Sequence, residues 1–281
     1  MGTEKRERQK ANRQAKAEAQ QAIEARQRRI KAIRNAVLVL VFIAVVLFWL
    51  SGCSSTASKA STTTTTAAAN TTTTSPKAAK ATFGTGACPP ESGSPKPVLT
   101  FTAAPKDCLT KGKTYTATFV TTEGTFAVQL DTTRTPVTAN NFIALARYRY
   151  YDATKIFRTE SQSGIIQGGS PQTQDNSDPG PGYTIPDEGI PYPASAYGPG
   201  TLAMARTQAP NSAGGQFFLL ANENGKYLGD PSQPGAGSYV PFGKVTSGLP
   251  VLVKISALDD GTGSGTPSKP VSITKVTISE A

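Results

Sequence analysis

The residues whose types could do chemistry gather in three stretches. The first, Lys155–Ser170 (KIFRTESQSGIIQGGS), sets Arg158 after two apolar residues and closes on Gln167-Gly168-Gly169. The second, Leu202–Leu220 (LAMARTQAPNSAGGQFFLL), carries Met204, Ala205, Arg206, Gln216 and Phe218, and the third, Tyr239–Val245, reads YVPFGKV. The chain contains no histidine, which excludes histidine-based triads and histidine metal ligands; no metal and no cofactor is expected. What remains is an always-charged guanidinium with several donors in a rigid fork, together with side-chain amides and apolar residues. Such a set can direct a donor at a polar atom beside an apolar pocket, without a nucleophile or a proton shuttle. Singly, each residue has an ordinary explanation. An arginine in a strand-like segment sits on the surface, Phe217, Phe218 and Leu219 are core, and Gly168-Gly169 is a bulge or turn.

The elements that must position these residues begin near Lys113. Thr114–Thr122 (TYTATFVTT) alternates polar with apolar or aromatic residues, Glu123-Gly124 signals a turn, and Thr125–Asp131 alternates again. This pattern predicts an antiparallel hairpin. Thr135-Pro136 predicts a helix start, with threonine as N-cap and proline at the first helical position. Val137, Phe142, Ile143, Leu145 and Ala146 would form that helix's apolar face. Short strands split by Gly- and Pro-rich loops follow, then a second helix over Leu249–Leu258 that offers Val251, Leu252, Ile255 and Ala257 for burial, then the alternating VSITKVTIS. The pattern supports a mostly β fold, barrel or sandwich.

The order and type of the three motifs resemble the cyclophilin family of peptidyl-prolyl cis-trans isomerases, over about Thr114 to Ile278. The resemblance implies a closed eight-stranded antiparallel β-barrel capped by two α-helices. It also implies acceleration of X–Pro isomerisation. That rotation faces a barrier of about 18–20 kcal/mol because the amide loses resonance as it twists. A donor aimed at the prolyl nitrogen bonds well only once resonance is broken, so it acts mainly in the transition state. By resemblance Arg158 is that donor. Gln167 would bind near the substrate carbonyl, and Phe218 would floor a proline pocket lined by Ile165, Met204 and Leu228. Gln216 would order Arg158 or the substrate, Ala205 and Arg206 would offer backbone groups, and Tyr227 and Tyr239 would wall the pocket.

The sequence departs from the family pattern in several places. Phe157 stands where histidine is usual. The Arg158–Gln167 segment is one residue longer than typical, and Ser163 or Gly164 replaces an aromatic that flanks the pocket. Arg206 stands where asparagine is common, Gln208 looks inserted, and the loop 229–238 is long. These changes imply slower turnover and argue against cyclosporin binding. They keep open a second reading, a non-catalytic module that binds Pro-containing peptides as a holdase or scaffold. A third reading, a barrel kept only as an envelope scaffold, would expect the pocket residues to have drifted, which most have not.

The remaining chain reads as an anchor. The formal charge of +10 is concentrated at the start: residues 1–35 hold eleven Lys and Arg against four Glu, a net of +7. The folded part is near balance, so no nucleic-acid partner is expected. Glu4–Ile33 is rich in helix formers but has no apolar stripe. It reads as a solvated charged helix or as a contact for anionic lipid headgroups. Ala36–Leu50 (AVLVLVFIAVVLFWL) is uninterrupted apolar sequence, with Trp49 placed as an interfacial aromatic. Leu50-Ser51-Gly52-Cys53 resembles a bacterial lipobox, which makes Cys53 a candidate lipidation site. An uncleaved transmembrane helix and a lipoprotein signal give the same topology, with the basic arm cytoplasmic and all that follows outside.

The expected organisation is a basic arm (1–35), a membrane segment (36–52), a disordered Ser/Thr/Ala-rich linker (53–82), a Pro-rich extension (83–113) and the isomerase-like domain (114–281). Cys88 and Cys108 bracket the Pro-rich segment, and outside a membrane a disulfide is the default for such a pair. The expected protein is a monomer at the cell membrane, single-pass or lipid-anchored, with its domain extracytoplasmic. Its partners would be Pro-containing unfolded polypeptides. The arrangement resembles actinobacterial membrane-linked cyclophilins.

Overall fold

The structure, a computed structural model, describes residues 81–262 and 265–281. The basic arm, the apolar run 36–52, Cys53 and nearly all of the 53–82 linker lie outside the described residues. Among the described residues no helix is long and apolar enough to cross a membrane.

Eight strands close into an antiparallel barrel. They are β1 (Tyr115–Thr121), β2 (Gly124–Leu130), β3 (Thr154–Glu160), β4 (Ile165–Gly168), β5 (Thr201–Met204), β6 (Phe217–Leu220), β7 (Pro241–Ser247) and β8 (Val271–Glu280). Around the barrel the order is β1-β2-β7-β5-β6-β4-β3-β8, and β8 pairs back onto β1. The alternation of the first hairpin sends Tyr115, Ala117, Phe119, Phe126, Val128 and Leu130 into the core. Phe119 and Phe126 stack there with ring centroids 4.7 Å apart. Burial of each of the Phe, Val and Leu side chains stabilises the fold by about 1.5–3 kcal/mol. Two α-helices cap the barrel, α1 (Pro136–Arg147) and α2 (Leu249–Ser256). Phe142 of α1 packs among Phe119, Phe217 and Phe242. From α2, Leu252 and Ile255 are buried, whereas Ala257 lies past the helix end and is exposed.

Two details of α1 differ from the sequence reading. Proline does open the helix, but Thr135 makes no capping hydrogen bond to it. Its hydroxyl donates instead to the Asp131 carbonyl at 2.8 Å. The free amides of Val137 and Thr138 donate to the Glu188 carboxylate, from fifty residues downstream, at 3.0 and 2.7 Å. A carboxylate is favoured at a helix N-terminus for the same reason as a local cap. The second difference is that every residue from Val137 to Arg147 is buried, not one face only.

The Pro-rich segment before β1 explains that burial. Residues 81–113 run over α1: the amides of Ser94 and Val98 donate to the carbonyls of Arg147 and Tyr148 at 2.7 and 3.0 Å. Asn140 accepts from the Cys108 amide and donates to the Lys106 carbonyl, both at 2.9 Å. Cys88 and Cys108 are disulfide-bonded, with Cα atoms 5.6 Å apart, and so close this strap into a loop. Farther along, the Phe101 amide donates to Pro181 O at 2.8 Å, and the Phe101 ring packs on Tyr148 and Tyr183.

Candidate functional site

Strand register assembles the site. Arg158 pairs with Gln167 across β3–β4, Gln167 with Phe218 across β4–β6, and Phe218 with Ala203 across β5–β6. Residues in one such row share a face of the sheet. Ile166, Phe217 and Leu219 belong to the large barrel cluster, while Ile165, Ala203, Phe218 and Leu220 belong to a second cluster on the other face. The row therefore sets a guanidinium, an amide and an aromatic ring side by side outside the barrel.

Arg158 reaches that face through an irregularity in β3. The register shifts between Ile156 and Arg158, so the strict alternation is broken at Phe157. Ile156 and Thr159 are buried, and Arg158 and Glu160 are not. A bulge re-aims the side chains that follow it. Strict alternation from Ile156 would have turned Arg158 inward.

The polar half of the site is a continuous hydrogen-bonded chain. Arg158 Nη1 donates to Gln167 Oε1 at 2.9 Å. Gln167 Nε2 donates to Gln216 Oε1 at 3.0 Å and to Asn176 Oδ1 at 3.3 Å. On its other edge Arg158 donates from Nε to Glu160 Oε1 at 2.9 Å, and Nη2 bonds the same oxygen. Beside this chain lies the apolar half. Phe218 meets Tyr239 edge-on at 5.3 Å, and Ile165, Leu228 and Tyr197 pack into the same cluster, with Ala205 and Tyr239 partly buried against it. The Tyr197 hydroxyl donates to the Tyr239 carbonyl at 2.6 Å, which holds the backbone of that wall. Tyr227 is exposed at the rim, and burial of its hydroxyl, then Glu160, push its pKa up while Arg158 opposes.

A cavity of about 350 Å³ adjoins the polar half, lined by Gln167, Asn176, Tyr183, Ala205, Arg206 and Gln216 among others. The glycine backbone beneath is tightly packed. Gly169 has a φ of +92° and lies so close to Gly215 that a Cβ would come 2.7 Å from its carbonyl oxygen. Only glycine suits that position. Tyr183, on the cavity wall, donates to Asn141 Oδ1 at 2.7 Å, and Asn141 Nδ2 donates to Gly214 O at 2.8 Å. Helix α1 and the strap thus brace the wall from behind.

The family model described as cyclophilin type peptidyl-prolyl cis-trans isomerase/CLD matches residues 116–278. This chain belongs to that family. The cyclophilin domain is 33% identical over 153 residues to peptidyl-prolyl cis-trans isomerase cyp18 of Streptomyces antibioticus, covering 54% of this chain and 89% of the relative. It is 33% identical over 170 residues to peptidyl-prolyl cis-trans isomerase B of Escherichia coli, covering 58% of this chain and 99% of the relative. Among solved structures, a cyclophilin type peptidyl-prolyl cis-trans isomerase from Cryptosporidium parvum superposes with a TM-score of 0.50 at 28% identity, over 59% of this chain and 98% of that one.

Within this cyclophilin, the structure brings together Arg158, Gln167, Gln216, Phe218, Ile165, Leu228, Tyr239 and, at the rim, Tyr227. One expected contributor is placed elsewhere. Met204 pairs with Phe217 and is 1% exposed in the barrel core, because the β5 alternation that turns Ala203 outward turns Met204 inward. Arg206 lines the cavity, and its side chain is held as a loop staple: it donates to Ser238 O at 3.0 Å and Ala209 O at 2.7 Å, and it pairs with Asp187 at 3.3 Å. The amide of Ala205 is already bonded to Gln216 O at 3.0 Å, so it is not the donor offered to a peptide. Sequence reasoning missed Glu160, Asn176 and Tyr197. For Glu160 a signal existed, since residues two apart in a strand share a face. Asn176 sits in a polar loop and Tyr197 in a short turn of helix, and neither carried a local signal.

Proposed function

We propose that this protein is a peptidyl-prolyl cis-trans isomerase that accelerates X–Pro isomerisation in unfolded polypeptides. The carrying observation is the cross-strand row Arg158–Gln167–Phe218, which sets a fixed donor beside an apolar ring on one face. The proline ring packs against Phe218 and Tyr239. As the amide twists, the prolyl nitrogen regains its lone pair and accepts from the Arg158 guanidinium. That bond exists mainly in the transition state, so it lowers the barrier without tightening the ground state. Gln167 holds Arg158 in place and lies beside the bound carbonyl.

The basic arm, the apolar run 36–52 and Cys53 support a further reading: a monomer held at a cell membrane by a helix or a lipid, with its domain on the outer side. Substrates there would be secreted or envelope proteins emerging unfolded, met at a high local concentration. Exchange NMR on a short X–Pro peptide, with the full-length protein and its Arg158→Ala variant, tests the activity. Acceleration that falls tenfold or more in the variant, about 1.4 kcal/mol of transition-state stabilisation, supports an enzyme working through this arginine. A folded wild-type protein that leaves the exchange rate unchanged overturns it.

A further inference from the structure

We infer that Glu160 is the positioning residue for Arg158, a role that rests on the isomerase reading above. An arginine carries five N–H donors. Three are committed here: Nε and one hydrogen of Nη2 to Glu160 Oε1, and one hydrogen of Nη1 to Gln167 Oε1. One hydrogen on each terminal nitrogen is left for a bound peptide. Glu160 and Gln167 grip the guanidinium from different edges, and neither alone would fix its plane.

Glu160 is itself held. Its second oxygen accepts from Ser163 Oγ at 2.9 Å. Its carbonyl accepts from the Gly164 amide at 2.8 Å, which closes the turn between β3 and β4. Gly164 has a φ of +74°, and a Cβ there would come 2.8 Å from Asn222. Asn222 and Asn224 donate to the carbonyls of Ser161 and Gln162 at 2.9 and 2.8 Å. On the far side, Gly265 backs the Arg158 stem, since a Cβ on it would lie 3.0 Å from Arg158 Cγ. The Thr159 amide ties that loop down at 2.7 Å through Gly265 O. The turn, the loop and the carboxylate together make a rigid mount for one side chain.

The mount is not a stability device. Both side chains are more than a third exposed, at 40% and 36%, and pairs of that kind contribute little to folding. What it supplies is preorganisation of a donor, which otherwise samples many rotamers. The competing idea is that Glu160 neutralises Arg158 and withholds it from substrate. The two differ in sign.

The test compares full-length wild type, Glu160→Ala and Glu160→Gln. Exchange NMR on an X–Pro peptide gives kcat and KM, and the Arg158 Nε–H resonance is followed alongside. Glu160→Ala lowers kcat about tenfold with KM within about twofold, as expected for an interaction realised in the transition state. The melting temperature stays put. Glu160→Gln keeps an oxygen acceptor for Nε–H and recovers most of the rate. An alanine variant as fast as wild type or faster overturns the inference, as does a parallel fall in rate and melting temperature. If wild type itself does not accelerate exchange, the isomerase reading falls, and the resonance decides the positioning. A slowly exchanging Arg158 Nε–H lost in Glu160→Ala supports it, and an unchanged one refutes it.

Discussion

Across the β3–β4 pair, Arg158 Nη1 donates to Gln167 Oε1 at 2.9 Å, and the same glutamine's Nε2 donates onward to Gln216. One amide is thus acceptor to the guanidinium and donor to its neighbour, because a carboxamide carries a carbonyl oxygen and an NH2 on one planar group. Gln167→Ala should lower kcat/KM by about tenfold or more, the equivalent of ~1.4 kcal/mol, because Arg158 loses a grip and Gln216 a donor. Gln167→Glu should fall in between. It keeps the acceptor for Arg158 but faces the Gln216 and Asn176 oxygens with no hydrogen to offer. Exchange NMR on one X–Pro peptide reads both variants, and wild-type rates in both would remove Gln167 from the mechanism.

Met204 and Phe218 lie in adjacent strands and face opposite sides of the sheet. A volume-conserving change at Met204 should therefore be quiet. Met204→Leu is expected to shift stability by less than about 1.5 kcal/mol and to leave kcat/KM within twofold, roughly 0.4 kcal/mol. Phe218→Ala removes the ring beside Arg158 and should cut kcat/KM by more than about tenfold while also destabilising the fold by about 3–5 kcal/mol. Urea denaturation alongside kinetics on the folded fraction separates the two effects. A large kinetic loss in Met204→Leu at unchanged stability would place Met204 in the pocket after all.

How far the sequence carried this structure can be judged from the same residues. Period-two alternation made the first hairpin legible, and motif order made the barrel and the row Arg158, Gln167, Phe218 legible through the family. The bulge at Phe157 was not legible, because alternation has no term for an extra residue, and it is this bulge that turns Arg158 outward. Met204 was misplaced for a related reason: the resemblance assigned it to the pocket, whereas the alternation of β5 that turns Ala203 outward turns it into the core. The cap on α1 comes from Glu188, and the staple on Arg206 from Asp187. Both are contacts between distant segments, and neither leaves a local mark.

The disulfide should act on stability more than on chemistry. Cys88 and Cys108 are 20 residues apart in sequence, and closing a loop of that order restricts the unfolded chain by about 3 kcal/mol in the chain-entropy model. For a domain of this size that corresponds to a fall of roughly 6–12 °C in melting temperature when the bridge is reduced or both cysteines become serine. The strap also carries Phe101, which braces Pro181 and Tyr183 at the cavity wall. A modest rise in KM, about two- to threefold, is expected with kcat retained. Calorimetry with and without reductant, followed by kinetics, checks both parts. An unchanged melting temperature would mean the strap is held by its hydrogen bonds alone.

Glu123 couples acid stability to the joining of three segments. At the β1–β2 turn its carboxylate pairs with Lys269 at 2.7 Å and with Lys254 of α2 at 2.9 Å. These partners, Lys269 first and Lys254 second, hold its pKa below the usual 4.5, while burial works against them. A carboxyl with a folded pKa below its unfolded one stabilises the fold above the unfolded value. It loses that contribution as pH falls through the folded value. Wild type should therefore be more stable than Glu123→Gln at neutral pH, and the gap should narrow as pH drops below about 4.5. Melting curves for both proteins from pH 7 down to about 3 give the comparison. A gap that stays constant over that window would show that the two lysines contribute packing and hydrogen bonds at Glu123 but no charge-dependent stability.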